Sequence, residues 1–196
     1  MKQLLCIITF VVFVSCVDKN EKITPISKIS DGQISDSEIY EVINFMVDSL
    51  NSECPNKTKY LIESQTLEPR LLKRILDQVN ELDSIFSKKD VDFIRKQAKS
   101  FFEFKLKQEF VKQKIVIPKD SLEVLITDKY NSQIYRDNLE KKYGTYRFIG
   151  IAMPLFSLDK SIVIVARDCD IGGGVDIYRK ENGKWVLIRN LIAWIS

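Results

Sequence analysis

The C-terminal quarter of the chain constrains the fold most, because it alternates β-forming runs with turn signals. Ser161–Ala166 is a continuous apolar run, which is typical of a strand covered on both faces. The runs Val175–Lys180 and Trp185–Ile195 are separated by a turn containing Asn182-Gly183, the strongest short-range signal for a hairpin. With a further β-like segment at Thr145–Ala152, these runs predict an antiparallel meander of four strands.

Two features of the meander carry specific predictions. The run Gly172-Gly173-Gly174 is expected to break the chain between two strands, since glycine adopts backbone conformations that other residues avoid. In the last strand, alternation places Trp185 on the same face as Leu187 and Arg189. Trp185 gains most from burial, so we expect its face to be the inner one.

Three segments ahead of the meander are predicted to be helices. Ser35–Glu38 matches a capping box, and an apolar stripe at helical spacing follows it. Pro69–Val79 shows the same periodicity, with a proline suited to the first turn. Ser87–Asp90 is a second capping signature and opens a helix expected over residues 88–102.

Shorter elements complete the prediction. Lys59–Thr66 and Lys114–Ile117 are each expected to contain a short strand, while residues 119–142 are charged and predicted to be only partly ordered. The predicted class is therefore α+β, with N-terminal helices packed on one face of a C-terminal antiparallel β-meander. Residues 36–196 are expected to form a single α+β domain, in keeping with the length of the chain.

The N-terminus has the pattern of an export signal. Lys2 precedes an apolar run over Leu4–Val14, which has the length of a signal-peptide core and is short for a membrane-spanning helix. Phe13-Val14-Ser15-Cys16 then resembles the lipobox of bacterial lipoproteins. This resemblance implies a signal peptide at residues 1–15, cleaved before Cys16, and acylation of that cysteine. Several acyl chains, palmitate among them, would anchor the protein stably in a membrane.

Residues 16–35 are expected to comprise the lipidated cysteine and a flexible tether, because they are polar, contain Pro25 and Gly32, and show no periodicity. The lipobox resemblance implies a location in the cell envelope, with the outer membrane favoured. Asp18-Lys19-Asn20-Glu21 alternates in charge, unlike the acidic run that directs some lipoproteins to the cell surface. The periplasmic and the surface face both stay open.

Four cysteines are present, and the lipobox resemblance accounts for two of them: Cys6 leaves with the signal peptide and Cys16 carries the lipid. Cys54 and Cys169 remain as the available intramolecular pair, in a compartment where disulfides persist. A disulfide between them and two unpaired thiols are both open. A nucleophilic role for Cys169 would lack a histidine base, so a disulfide or an inert thiol is the better interpretation.

The amino-acid composition excludes several kinds of catalytic and metal-binding site. The chain has no histidine, which excludes Ser-His-Asp and Cys-His catalysis and histidine-ligated zinc or haem. Its net charge of +3 is too small to argue for nucleic acid as a partner. Between Arg95 and Lys114, phenylalanines interleave with lysines. This pattern favours an amphipathic element with a solvated basic face over nucleic-acid or lipid-headgroup contact. No cofactor is predicted.

Asp168, Asp170 and Asp176 are weak candidates for a metal site. Counted from Asp168, they take positions 1, 3 and 9 of a calcium-binding loop, but position 12 is Arg179, where a bidentate glutamate is required. A glycine-rich connection is the better interpretation of this stretch. No helix follows whose N-terminus would receive a phosphate, so a phosphate-binding loop is disfavoured as well.

The segment Tyr146–Ser196 is similar to the C-terminal part of small lipoproteins of Bacteroidota-type bacteria that have no assigned activity. The resemblance is carried by Pro154-Leu155-Phe156-Ser157, Asp159-Lys160, the cysteine ahead of the glycines, Asn182-Gly183-Lys184-Trp185 and the end Trp194-Ile195-Ser196. It implies the fold and the location only. Ile171-Gly172 stands where such relatives often have a second cysteine, which leaves Cys54 as the candidate partner of Cys169.

The sequence thus predicts a lipid-anchored cell-envelope protein that acts as a binding or scaffolding module. Its contact with the membrane is expected through the lipid, and its protein or small-molecule partner is not indicated. Two alternatives stay open: an envelope enzyme that uses carboxylates or a metal around Asp168–Asp176, and an inhibitor or immunity-type protein.

Overall fold

Helices precede a β-sheet along the described part of the chain. The structure, a computed structural model, describes residues 33–53, 58–64, 69–127, 131–169 and 172–195. The predicted signal peptide, Cys16 and the tether up to residue 32 lie outside the described residues, as do Cys54 and Asp170.

The helices are α1 (Asp36–Glu53), α2 (Pro69–Asn80), α3 (Lys88–Ala98), α4 (Lys119–Glu123) and α5 (Ser132–Tyr143). The strands are β1 (Tyr60–Ile62), β2 (Ile115–Ile117), β3 (Gly150–Ile151), β4 (Leu155–Phe156), β5 (Ile162–Cys169), β6 (Gly172–Glu181) and β7 (Lys184–Trp194). Short 3₁₀ turns occupy Phe101–Glu103 and Gln108–Phe110. This order of elements confirms the α+β class. The predicted α3 ends earlier than expected, because the chain tightens into the first 3₁₀ turn.

The main sheet is the predicted antiparallel meander, with its first strand divided in two. β5, β6 and β7 pair in sequence, and β3 and β4 both lie along the outer edge of β5. Pro154, which lacks a backbone N–H, stands between β3 and β4. Ile149 pairs with Leu61 of β1 instead of β5, so the predicted strand at Thr145–Ala152 is shortened from its beginning as well.

The glycine run does not interrupt the strands as predicted. Gly172, Gly173 and Gly174 begin β6 and pair with the end of β5. Glycine is required there by close packing, because a Cβ on Gly173 would lie 2.4 Å from the carbonyl oxygen of Arg167 and 2.4 Å from the Trp194 ring. The run therefore permits a close approach between strands.

Helices cover both faces of the sheet, which corrects the prediction of one covered face. On one face α1 packs on Val163 and Val165 of β5. On the other, α2 and α3 pack on Ile162, Ile164 and Ala166 of the same strand. Since β5 is apolar on both sides, each side needs a covering layer. A third cluster joins α4 and α5 to the small parallel pair of β1 and β2.

The last strand keeps the predicted hairpin but changes its alternation. Trp185 is buried on the α1 face, as expected. A register irregularity between Ile177 and Tyr178 of β6 then shifts the pairing, so that Arg189 stands opposite Ile177 and Asn190 opposite Asp176. It inserts one residue, Ile188, between Trp185 and Arg189, which is why Arg189 does not share a face with Trp185. Among the described helices, none is both long and apolar enough to span a membrane.

Candidate binding groove

A groove with a volume of about 790 Å³ runs along the outward side of α1, and we call it the α1 groove. Its floor is one face of the helix, formed by Ser37, Glu41, Asn44 and Asp48 at spacings of three and four residues. The opposite face of α1 is apolar and packs on the sheet. The amphipathic pattern that docks this helix therefore also leaves its polar face available to line a site.

One side of the α1 groove is the 3₁₀ turn that ends at Phe110, together with Lys112. Asn44 fixes this side: its Nδ2 donates to the carbonyl oxygens of Tyr40 at 2.8 Å and Phe110 at 3.0 Å. Its Oδ1 accepts from the backbone N–H of Lys112 at 2.8 Å. The Phe110 and Tyr40 rings lie 4.9 Å apart, and Phe110 is 41% exposed. The three hydrogen bonds of the Asn44 amide thus hold the backbone around Phe110 in a position that leaves its ring exposed to solvent.

The phenol of Tyr40 helps to hold the same side. Its oxygen accepts a hydrogen bond from the backbone N–H of Lys107 at 2.6 Å. Burial raises the pKa of Tyr40 above its usual value, so the hydroxyl stays neutral at any physiological pH. A neutral phenol can accept this bond while its ring packs in the core.

The other side of the α1 groove is the tip of the β6–β7 hairpin. Asn182 and Gly183 have φ of 50° and 78°, the left-handed conformation that a two-residue hairpin turn requires. Trp185 follows, and its Nε1 donates to Oε1 of Glu41 at 3.1 Å. Lys180 pairs with the same carboxylate oxygen at 2.5 Å and lies over the Trp185 ring. Glu41 therefore ties the hairpin to α1.

The metal candidates in the main sheet are not brought together. Asp176 is 1% exposed and accepts hydrogen bonds from Arg167 Nε at 2.9 Å and Asn190 Nδ2 at 2.6 Å. Its register opposite Val165 places it on the α1 face, whereas Asp168 accepts from the Trp194 indole N–H on the other face. Within the described ranges there is no group of three or more carboxylate or cysteine ligands.

Of the cysteines for which the sequence makes a prediction, the structure describes only Cys169. Cys169 is half-buried at the end of β5 and packs against the core cluster of α1. Its predicted partner Cys54 and the acylation site Cys16 both lie outside the described residues. The Cys54–Cys169 disulfide and the lipid therefore stay predictions.

The basic segment between Arg95 and Lys114 is not one amphipathic element. It comprises the end of α3 and the two 3₁₀ turns. Lys114 is buried and donates to the carbonyl oxygen of Thr58, while Lys107 pairs with Asp36 at 2.7 Å. The segment therefore contains both lysines that stabilise the fold and lysines that are exposed to solvent. The periodicity of the sequence does not distinguish the two kinds.

The sequence does not predict the α1 groove. Two of its aromatic residues lie in segments with other predictions: Phe110 is in the basic segment between Arg95 and Lys114, and Trp185 is predicted to be in the core. Neither pattern shows that they flank the same helix face, because their sequence separation is bridged only by tertiary packing. Comparison of the chain with protein-family models, curated proteins and solved structures found no match.

Proposed function

We propose that the chain is a lipid-anchored binding module of the cell envelope, attached through Cys16, and that its ligand occupies the α1 groove. The lipobox resemblance supports the anchor and favours the outer membrane as its location. The groove supports the binding role. The membrane is then a partner only through the lipid, and the folded domain provides the recognition.

The proposal rests on the aromatic lining of the α1 groove, whose two sides are held in place by hydrogen bonds to α1. Four aromatic side chains contribute to the lining, from α1, the second 3₁₀ turn and β7: Tyr40, Phe45, Phe110 and Trp185. The volume of about 790 Å³ falls in the range of small-molecule sites, which are mostly apolar with a few polar groups. Because Asn44 and Glu41 hold both sides in place, little ordering is needed on binding, which favours affinity.

The alternatives receive less support from the geometry. An enzyme built on Asp168 and Asp176 would need their carboxylates to converge, but they lie on opposite faces of the sheet. An inhibitor or immunity-type protein would use the same groove and differ only in having a protein as its partner.

Photo-crosslinking from two matched positions tests the proposal. Phe110 and Phe102 are replaced in turn by p-benzoylphenylalanine in the full-length protein, expressed in its own envelope. Both phenylalanines lie in 3₁₀ turns and are similarly exposed, at 41% and 46%, but only Phe110 lines the α1 groove.

We expect a specific mass adduct, small or protein-sized, after irradiation of the position 110 variant and not of the position 102 variant. Intact-mass spectrometry and gel mobility detect both kinds of ligand. Equal adducts at the two positions, or none at position 110, would contradict binding in the α1 groove.

A further inference from the structure

The charges that line the α1 groove are of two kinds: those already paired and those free to meet a ligand. Glu41 is neutralised by Lys180 and by the indole N–H of Trp185. Within the described part of the chain, the side chains of Lys112, Lys184 and Asp48 have no ion-pair or hydrogen-bond partner. Cationic groups therefore outnumber anionic ones among the groups that remain for a ligand.

The two lysines line opposite sides of the α1 groove: Lys112 follows the 3₁₀ turn that ends at Phe110, and Lys184 begins β7. The backbone N–H of Lys112 is bonded to Asn44, and Lys184 adjoins Trp185, which is bonded to Glu41. Asp48 lies one helical turn beyond Asn44, about 6 Å along the axis at 1.5 Å per residue. A carboxylate bound in the groove can pair with one ammonium group from each side, whereas Asp48 adds a single negative charge to the lining.

The remaining lining is suited to an apolar body rather than to a hydroxyl-rich one. Phe110 exposes its ring, and Phe45 and Trp185 add further aromatic surface. The amide of Asn44, which could otherwise bind hydroxyl groups, is consumed by three hydrogen bonds to the protein. Among the lining residues that the structure describes, the polar side chains left for a ligand are Ser37, Asp48 and the two lysines, so a hydroxyl-rich body would still bury hydroxyls without partners against the aromatic rings, which is unfavourable.

We propose that the α1 groove selects a small apolar monoanion, a ring or short chain that bears one carboxylate. The carboxylate lies between Lys112 and Lys184, and the apolar body packs on Phe110 and Phe45. This inference rests on the proposed function, since it specifies the ligand class of the same site. The energy of each solvent-exposed ion pair is modest, so we expect a charge preference of about three- to fivefold per lysine.

Three water-soluble probes of similar size test the charge preference: 3-phenylpropionate, the isosteric neutral 3-phenylpropionamide and the cationic 3-phenylpropylammonium. Their dissociation constants are measured by ligand-observed NMR with the intact lipoprotein in nanodiscs of zwitterionic lipid, against empty nanodiscs. We expect the anion to bind about tenfold more tightly than the amide, and the cation to bind more weakly than the amide.

Charge variants locate that preference. In the double variant Lys112→Gln, Lys184→Gln, the anion and the amide should bind equally, with the affinity for the amide unchanged. The control variant Lys73→Gln, Lys96→Gln removes the same charge from exposed helix positions outside the α1 groove and should leave the preference intact. If the control variant also loses the preference for the anion, the preference arises from the net charge of the protein and not from the groove lysines, and the inference is overturned.

The Phe110→Ser variant separates the two proposals. If all three probes bind equally and Phe110→Ser weakens each of them, the groove binds ligands without charge selection, so only the present inference fails. If no probe binds, the present inference fails and the crosslinking at position 110 decides the proposed function. If the probes bind and Phe110→Ser leaves their binding unchanged, the groove is not their site and both proposals fail.

Discussion

Gln97 and Phe156 are joined by two hydrogen bonds across the interface between α3 and the sheet. The Nε2 of Gln97 donates to the carbonyl oxygen of Phe156 at 2.8 Å, and its Oε1 accepts from the Phe156 N–H at 3.0 Å. Phe156 belongs to the two-residue strand β4, whose other side pairs with β5. The buried glutamine thus takes the place of a neighbouring strand and satisfies the backbone at the edge of the sheet.

We expect Gln97→Ala to lower the free energy of unfolding by about 2–3 kcal/mol, because it leaves a buried N–H and a buried carbonyl without partners. Urea unfolding of the variant and the wild type measures the difference. Gln133→Ala is the control: this glutamine is exposed on α5, and its loss should change stability by about 0.5 kcal/mol at most. Equal midpoints for Gln97→Ala and Gln133→Ala would contradict the bonding described for β4.

Asp90 links the start of α3 to the turn that follows β4. Its carboxylate accepts from the N–H and hydroxyl of Ser87 and from the N–H of Leu158 at 2.9 Å. Burial acts to raise the pKa of Asp90, but these hydrogen bonds outweigh it and hold the pKa below its usual value. The ionised form is therefore favoured in the folded state.

A pKa that is lower in the folded than in the unfolded chain adds stability above the unfolded value, about 4 for aspartate, and that stability is lost as pH falls through the folded value. We expect Asp90→Asn to be less stable than the wild type at pH 7, and the gap between them to narrow from pH 5 to pH 3. Urea midpoints at each pH measure it. A gap that is constant over this range would show that the Asp90 carboxylate is not favoured by folding.

Features that depend on neighbours in sequence were predicted well. The capping boxes at Ser35 and Ser87 are formed, with their side chains bonded to the third helical residue and back. The two-residue turn at Asn182-Gly183 and the strand after Ser161 are also as expected. In each case a few adjacent residues determine the backbone conformation, so tertiary contacts do not have to be known.

Features that depend on distant contacts were not predictable in the same way. Gly173 is explained by the Arg167 carbonyl of β5 and by the Trp194 ring, which reaches it only after β7 has turned back. Which helix covers which face of β5 is likewise set by packing between distant segments. The α1 groove combines Phe110 with Trp185 through their shared contact with one helix. Periodicity within a segment carries no information about which segments meet.

Trp185 contributes to stability as well as to the groove, because it is 8% exposed and packs in the α1 core cluster. Trp185→Ala should cost roughly 3–5 kcal/mol in urea unfolding, the usual range for a large aromatic side chain. Trp185→Phe keeps much of the apolar contact but loses part of the ring and the hydrogen bond to Glu41, so a smaller cost of about 1–2 kcal/mol is expected. An unchanged midpoint for Trp185→Ala would place the ring outside the core.

Acylation of Cys16 is tested by metabolic labelling with a radioactive or alkyne fatty acid. The wild type should incorporate the label and fractionate with membranes, whereas Cys16→Ala should remain an unlabelled precursor. Cys169→Ala serves as the control for labelling at another cysteine and should incorporate as much label as the wild type. Label in Cys16→Ala equal to that in the wild type would refute the lipoprotein proposal.

Gly173 and Gly144 require glycine for different reasons: close packing at Gly173 and a left-handed backbone conformation at Gly144. A Cβ on Gly173 would meet a backbone oxygen and the Trp194 ring, each at 2.4 Å, while Gly144 ends α5 at φ 70° with nothing within 4 Å of an added Cβ. Gly144→Ala should therefore cost only conformational strain, about 1 kcal/mol. Gly173→Ala has to displace the Arg167 carbonyl of β5 as well as the Trp194 ring, and we expect a loss of about 3 kcal/mol. Urea unfolding compares the two, and the double variant Gly173→Ala, Trp194→Ala shows whether removing the ring relieves part of the clash. If Gly173→Ala is no more destabilising than Gly144→Ala, the close approach of the Arg167 carbonyl and the Trp194 ring is not what requires glycine at this position.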